Sequence, residues 1–153
     1  MASNMYAVKC PCCARSAIED YYYKTQEYYT FCMRCGYYYT KTIKKYTKGS
    51  IEYKEEKIEG HGMFLLVNND GSREKVILNC SLTNAQLEEC KAKIMNNSVN
   101  QEKSYLVTYE GGVFTILFGN PPENFHLSFE EYREKMFAKY GVPDYDFMVP
   151  IEE

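Results

Sequence analysis

The sequence predicts an α+β fold: a cysteine-organised antiparallel β segment over residues 1–50, then, over residues 51–153, an antiparallel sheet with two helices on one face. Three observations predict it. Cys10 with Cys13 and Cys32 with Cys35 form two Cys-x-x-Cys pairs with eighteen residues between them. Eleven of the sixteen tyrosines precede residue 54, which favours extended chain there. Beyond residue 62, turn and cap signals follow the order hairpin, helix, hairpin, helix. Charge supports the same division: residues 1–50 carry eight Lys and Arg against three Asp and Glu, and residues 51–153 carry ten against eighteen. No repeat or Gly/Ser linker separates the parts, so the boundary is expected within the charged stretch 44–62.

Residues 21–24 and 27–31 are rich in aromatics and read as strands, and a third strand follows Gly36 over residues 37–47. Residues 50–59 alternate Lys with Glu and fit either the return strand of a hairpin around Lys48-Gly49 or a charged helix; the hairpin is the reading adopted. Residues 63–67 and 75–78 are apolar strands joined through Asn68-Asn69-Asp70-Gly71, residue types that tolerate positive φ. A helix is expected over residues 84–96, capped by Thr83 or Ser81, with Leu87, Cys90 and Ile94 on one face. Residues 105–109 and 113–118 form a second hairpin across Gly111-Gly112, and Pro121-Pro122 ends it. The last helix opens on Ser128 with Glu131 three residues on, buries Phe129, Tyr132, Met136 and Tyr140, and closes at Gly141 with Pro143 beyond. Residues 144–153 mix Phe147, Met148, Val149 and Ile151 with acids and read as a tail that docks on its own domain or serves as an interaction peptide.

The cysteine spacing is that of a tetrahedral zinc site. Zinc takes four thiolates at about 2.3 Å, and each Cys-x-x-Cys turn aims two sulfurs at one point. A shell filled by Cys10, Cys13, Cys32 and Cys35 leaves no position for water or substrate, so such an ion holds structure and activates no nucleophile. Pro11 lies inside the first turn and Gly36 follows the second, giving Cys-Pro-Cys-Cys and Cys-Met-Arg-Cys-Gly. This resembles the zinc-ribbon family over roughly residues 6–46. The resemblance implies two metal knuckles clamping short antiparallel strands, and binding more than catalysis. Cys12 departs from the pattern and leaves the ligand choice in the first turn slightly open.

Two disulfides are the alternative use of four cysteines and need an oxidising compartment. The three others, Cys12, Cys80 and Cys90, are an odd remainder unsuited to a disulfide framework, and a cytoplasmic location is expected. Cys80 and Cys90 read as small buried hydrophobes. No secretory signal and no run of eighteen apolar residues is present, which argues against a membrane span. No enzymatic motif emerges: His61 and His126 read as turn and pre-helix residues. The pairs Glu55-Glu56, Glu88-Glu89 and Glu130-Glu131 read as solvated faces, and no glycine-rich phosphate loop occurs.

What remains is a basic, tyrosine-rich N-terminal part. Lys9, Arg15, Lys24, Arg34, Lys41, Lys44, Lys45 and Lys48 are candidate phosphate contacts, with Tyr22, Tyr29 and Tyr38 as platforms for unpaired bases. The same tyrosines suit a protein interface, so an adaptor, regulator or inhibitor docking on a cellular machine is the alternative. Contiguous cations beside rings favour nucleic acid, and a neutral aromatic patch favours protein.

Overall fold

The computed structural model of the chain describes residues 3–141. The tail at 144–153 lies outside the described residues, as does the side chain of Tyr140. Two antiparallel sheets and two helices make the fold α+β. The first sheet is a five-strand meander in sequential order: β1 (Asn4–Lys9), β2 (Ser16–Tyr22), β3 (Glu27–Phe31), β4 (Tyr38–Thr47) and β5 (Ser50–Ile58). The second, in the order β7-β6-β8-β9, consists of β6 (Gly62–Val67), β7 (Arg73–Leu78), β8 (Tyr105–Glu110) and β9 (Val113–Gly119). Helix α1 (Asn84–Met95) joins β7 to β8 by way of a short 3₁₀ turn at Gln101–Lys103, and α2 (Phe129–Tyr140) follows β9.

Strand β1 and the first half of β2 escape a reading based on aromatic content, because their inward residues are small or aliphatic. Side chains alternate across a sheet, so the register sorts them into faces. Ala7, Ile18, Phe31, Tyr38 and Ile58 form one cross-strand row, and Tyr6, Glu19, Thr30, Tyr39 and Lys57 form a row on the opposite face. Of the first row, Ala7, Ile18 and Phe31 pack against the core of the second sheet. Residues 50–59 are strand: β5 pairs with β4 along its length, setting Glu55 opposite Lys41 and Glu52 opposite Lys45. Opposite charges facing each other across a ladder stabilise the pair by roughly 0.2–1 kcal/mol each. The first sheet therefore includes residues on both sides of position 50.

All six residues of β6 are buried, since this strand is central and covered on both faces. Met63, Leu65 and Val67 join Tyr105 and Val107 on one face, under Phe125, Tyr132 and Met136. Phe64, Leu66 and Leu106 occupy the other, with Leu78, Ile94 and Val99. The helices thus cover opposite faces: α1 brings Ile94 to one, and α2 brings Tyr132 and Met136 to the other. This corrects the expectation of two helices on one face. The unbroken apolar run Met63-Phe64-Leu65-Leu66-Val67 has the pattern of a doubly covered strand; a half-solvated strand would alternate. Thr83 caps α1 in a capping box with Gln86, and Ser128 caps α2 in one with Glu131; Gly141 ends α2 in the left-handed region. Among the described residues no helix is long and apolar enough to cross a membrane.

Candidate metal centre

Strands β1 and β2 are joined by the first cysteine turn, and β3 and β4 by the second, so both turns lie at one end of the first sheet. In the first, the Ala14 N–H donates to the Cys10 carbonyl and the Cys10 N–H to the Arg15 carbonyl. In the second, the Gly36 N–H donates to the Cys32 carbonyl, and the Tyr37 N–H points at the Cys35 sulfur at 3.4 Å. A backbone amide aimed at sulfur is the expected support for a thiolate ligand.

The turns bring Cys10, Cys13, Cys32 and Cys35 together with their four sulfurs all within 4.8 Å of one another. Cys10 Sγ is 3.7 Å from Cys35 Sγ, and Cys13 Sγ is 3.6 Å from Cys32 Sγ. Disulfides hold sulfurs at about 2.05 Å, so these are free thiols in contact. A tetrahedron of thiolates at 2.3 Å from a central ion has edges of about 3.8 Å. Two of the six edges match that length and the rest lie within 4.8 Å, so the cluster could hold a metal ion, and four sulfurs are a donor set of the kind that soft and borderline divalent ions take. Crowding separates the thiols electrostatically. Cys10 is held below the usual thiol range because Cys13, Cys32 and Cys35 donate hydrogen bonds to it. Cys35 is pushed above that range, its proton shared with Cys10, Cys13 and Cys32, and burial raises Cys32. Four thiols this close do not all ionise without a cation among them.

Cys12 resolves in the same geometry. Its thiol donates to the Gly60 carbonyl at 3.6 Å beside Cys35 and is not one of the four mutually close sulfurs, and burial raises its pKa. The Tyr109 hydroxyl donates to the Cys12 carbonyl at 3.4 Å, so the first turn is tied to the second sheet. The second turn is tied more tightly: the Gly62 N–H donates to the Cys35 carbonyl at 2.7 Å. A Cβ on Gly36 would overlap the Gly62 carbonyl, and one on Gly62 would overlap that of Val107. Backbones touch at this junction, and glycine alone permits it at these positive φ values.

Arg34, expected as a phosphate contact, is not on the surface. It is fully buried between Cys32 and Cys35 and donates to three backbone carbonyls: Nε to Phe125 at 2.9 Å, Nη1 to Ser16 at 2.9 Å and Nη2 to Asn124 at 2.6 Å. Burial lowers its pKa, and the sulfurs of Cys32 and Cys13 oppose that effect. A Lys-or-Arg count gives no sign of this; the one available signal is its position inside a Cys-x-x-Cys turn.

The other candidate contacts divide into two groups. Lys9 pairs with Glu130 of α2 at 3.2 Å, and Arg15 lies over the Phe114 ring of β9 and donates to the His126 carbonyl, so one meets the last helix and the other the second sheet. Lys41 lies over the Tyr53 ring at 4.4 Å. Tyr38 is half-buried in the inward row with Phe31, while Tyr22 and Tyr29 meet edge to face at 5.6 Å. Lys24, Lys44, Lys45 and Lys48, by contrast, are exposed on the β2–β3 turn and the β4–β5 hairpin, at the end of the sheet opposite the cysteines. Tyr46, 72% exposed, and Tyr23, 46% exposed, were not singled out from the sequence and lie in the same two segments. The Tyr53 hydroxyl donates to the Thr25 carbonyl at 2.8 Å and ties these two segments together. Of these lysines only Lys44 has an ion-pair partner among the described residues, Glu52 at 2.7 Å.

His61 is half-buried and held by backbone bonds to Leu78 and Tyr109, and His126 is exposed. Cys80 is exposed in the loop after β7, which corrects the expectation of a buried side chain; Cys90 is half-buried on α1. No known protein family, no curated protein and no solved structure matches the chain.

Proposed function

We propose that the chain is a zinc-binding protein that acts by binding, with the ion held by Cys10, Cys13, Cys32 and Cys35 as a structural clamp and nucleic acid contacted at the opposite end of the first sheet. Zinc suits four thiolates in a closed tetrahedron, and a saturated shell offers no site for chemistry. The observation that carries the reading is the convergence of Lys24, Lys44, Lys45 and Lys48 with exposed Tyr23 and Tyr46 on two tied segments, where Glu52 is the one acid in residues 22–26 and 43–53. Cations neutralise phosphates, exposed rings stack on bases, and a two-stranded ribbon is slim enough to enter a groove.

The test is binding of the full chain to labelled single- and double-stranded DNA and RNA. Four phosphate contacts imply about a 50- to 150-fold loss of affinity between 50 and 200 mM salt. The triple variant Lys44→Glu, Lys45→Glu, Lys48→Glu should flatten that dependence to a few-fold. Absence of binding at about 50 mM salt, or a triple variant that binds as the parent does, would refute the nucleic-acid reading.

A protein partner is the second reading, and one feature favours it. The outer face of the first sheet carries Tyr6, Tyr21, Tyr28 and Tyr39, with Tyr21 and Tyr28 stacked at 4.6 Å, and its charges alternate in sign through Glu19, Lys41, Glu55 and Lys57. Such a neutral aromatic face matches interface composition.

A further inference from the structure

We propose that Arg34 is the charge-compensating residue of the metal centre and makes docking of the two sheets depend on metal occupancy. The inference rests on the metal reading above. A divalent ion with four thiolates is a dianion, and a dianion placed at the seam of two sheets needs a buried cation beside it. Arg34 is that cation. Its guanidinium and the Cys32 sulfur both contact the Ser16 carbonyl oxygen, at 2.9 and 3.8 Å, so they stand less than about 7 Å apart in a medium that screens poorly.

The partners of Arg34 are equally informative. A guanidinium keeps its proton inside proteins, and a buried one is ordinarily matched by a carboxylate. All the hydrogen bonds of Arg34 among the described residues go to neutral carbonyls. These orient the group and leave its charge uncompensated. The compensating charge is therefore the thiolate cluster, and it reaches full strength when a metal ion deprotonates all four sulfurs. The same side chain holds Asn124 and Phe125, the segment that leads into α2, and Ser16, at the start of β2. Metal binding thus strengthens the anchor of a cation whose remaining bonds fasten the second part of the molecule to the first. By linkage, the docked segment at 124–125 strengthens metal binding by the same factor.

The experiment measures zinc affinity of the full chain by competition with a chromophoric chelator, alongside hydrogen exchange at residues 122–127 with and without zinc. The variants are Arg34→Met, which keeps the packed stem, and Arg34→Lys, which keeps the charge. The parent is expected to bind one zinc and to gain protection at 122–127 on doing so. Arg34→Met should lose about 10- to 100-fold in zinc affinity, the range for partners just outside a ligand shell, and lose the zinc-dependent protection. Arg34→Lys should recover most of the affinity. A parent that binds no zinc would defeat the metal reading itself. A parent that binds zinc with Arg34→Met equal to it, or with the Lys and Met variants equally weak, would overturn the role given to Arg34 and leave the metal reading standing. Should Arg34→Met fail to fold, Arg34→Lys against Arg34→Gln decides by the same criteria.

Discussion

Taking the metal away, by chelation or by Cys13→Ser, should unfasten one half of the core and spare the other. The buried residues around the thiols are Cys10, Ala17, Cys32, Cys35 and Tyr37. Three of these five are candidate ligands themselves, and burial of the other two contributes only about 2–4 kcal/mol. Four-cysteine zinc sites contribute about 10–16 kcal/mol of apparent binding energy, as much as the whole stability of an ordinary domain, about 5–15 kcal/mol. With the proposed ion bound, the cysteine end of the first sheet depends chiefly on it. The cluster under α1 does not: Phe64, Leu66, Leu78, Ile94, Val99 and Leu106 include no residue of the first sheet, and six such side chains bring about 9–18 kcal/mol of gross burial. Hydrogen exchange of the full chain, read by mass spectrometry, separates the outcomes. With chelator, amides of β1 to β4 and of residues 122–127 should lose at least about 100-fold in protection, which corresponds to about 2.7 kcal/mol, while β6 and α1 hold theirs. Cys13→Ser in the presence of zinc should reproduce that pattern. Equal protection with and without chelator, or a uniform loss over both sheets, would refute the reasoning.

Gly62→Ala should destabilise the chain by about 2–6 kcal/mol, adding overpacking against the Val107 carbonyl to the strain of a side chain at φ 137°, and lower Tm by roughly 5–20 °C. Gly49→Ala, at φ 92° with nothing within 4 Å, carries the conformational part alone, so thermal melts of the two variants isolate the steric part. Ser128→Ala removes a hydroxyl that accepts from the Glu131 N–H at 3.1 Å and should cost about 1 kcal/mol in denaturant unfolding, with metal stoichiometry unchanged.

The cysteine cluster was legible in the sequence because two-residue spacings in two short turns dictate local geometry whatever the rest of the chain does. Both hairpins of the second sheet and both helix starts were legible for the same reason: Asn68-Asn69-Asp70-Gly71, Gly111-Gly112, Thr83 and Ser128 act within a few residues of themselves. What was lost depends on distant partners. Arg34 looks like any other cation until Phe125 and Asn124, about ninety residues away in sequence, are set against it. The charge division at residue 50 likewise falls in the turn of a hairpin, so β5 brings Glu52, Glu55 and Glu56 into the sheet that the first fifty residues make basic. Lys41 and Lys45 then face carboxylates across the ladder and Lys44 pairs with Glu52, so the excess of cations gathers toward the tip, at Lys44, Lys45 and Lys48, with Lys24 on the neighbouring turn.

On the proposed reading, the two ends of the first sheet do different work without interfering. Strand β4 runs ten residues from Tyr38, next to the second cysteine turn, to Thr47 at the hairpin tip. At about 3.3 Å per residue that is roughly 30 Å, several times the screening length of about 8 Å at physiological ionic strength. A zinc-filled thiolate cluster at one end and Lys48 at the hairpin tip would, on that reading, be screened from each other, so a partner at the tip would meet the charge of the lysines alone. Coupling between the ends passes only through the strands themselves. On the proposed reading, a bound ion would hold β1 to β4 together at the cysteine end, while the Tyr53 hydroxyl, donating to the Thr25 carbonyl, fastens the β2–β3 turn to the β4–β5 hairpin. Ordering in advance would spare the conformational cost that a loose basic arm incurs on binding, and on the proposed reading this is what a structural ion at the far end of the sheet supplies.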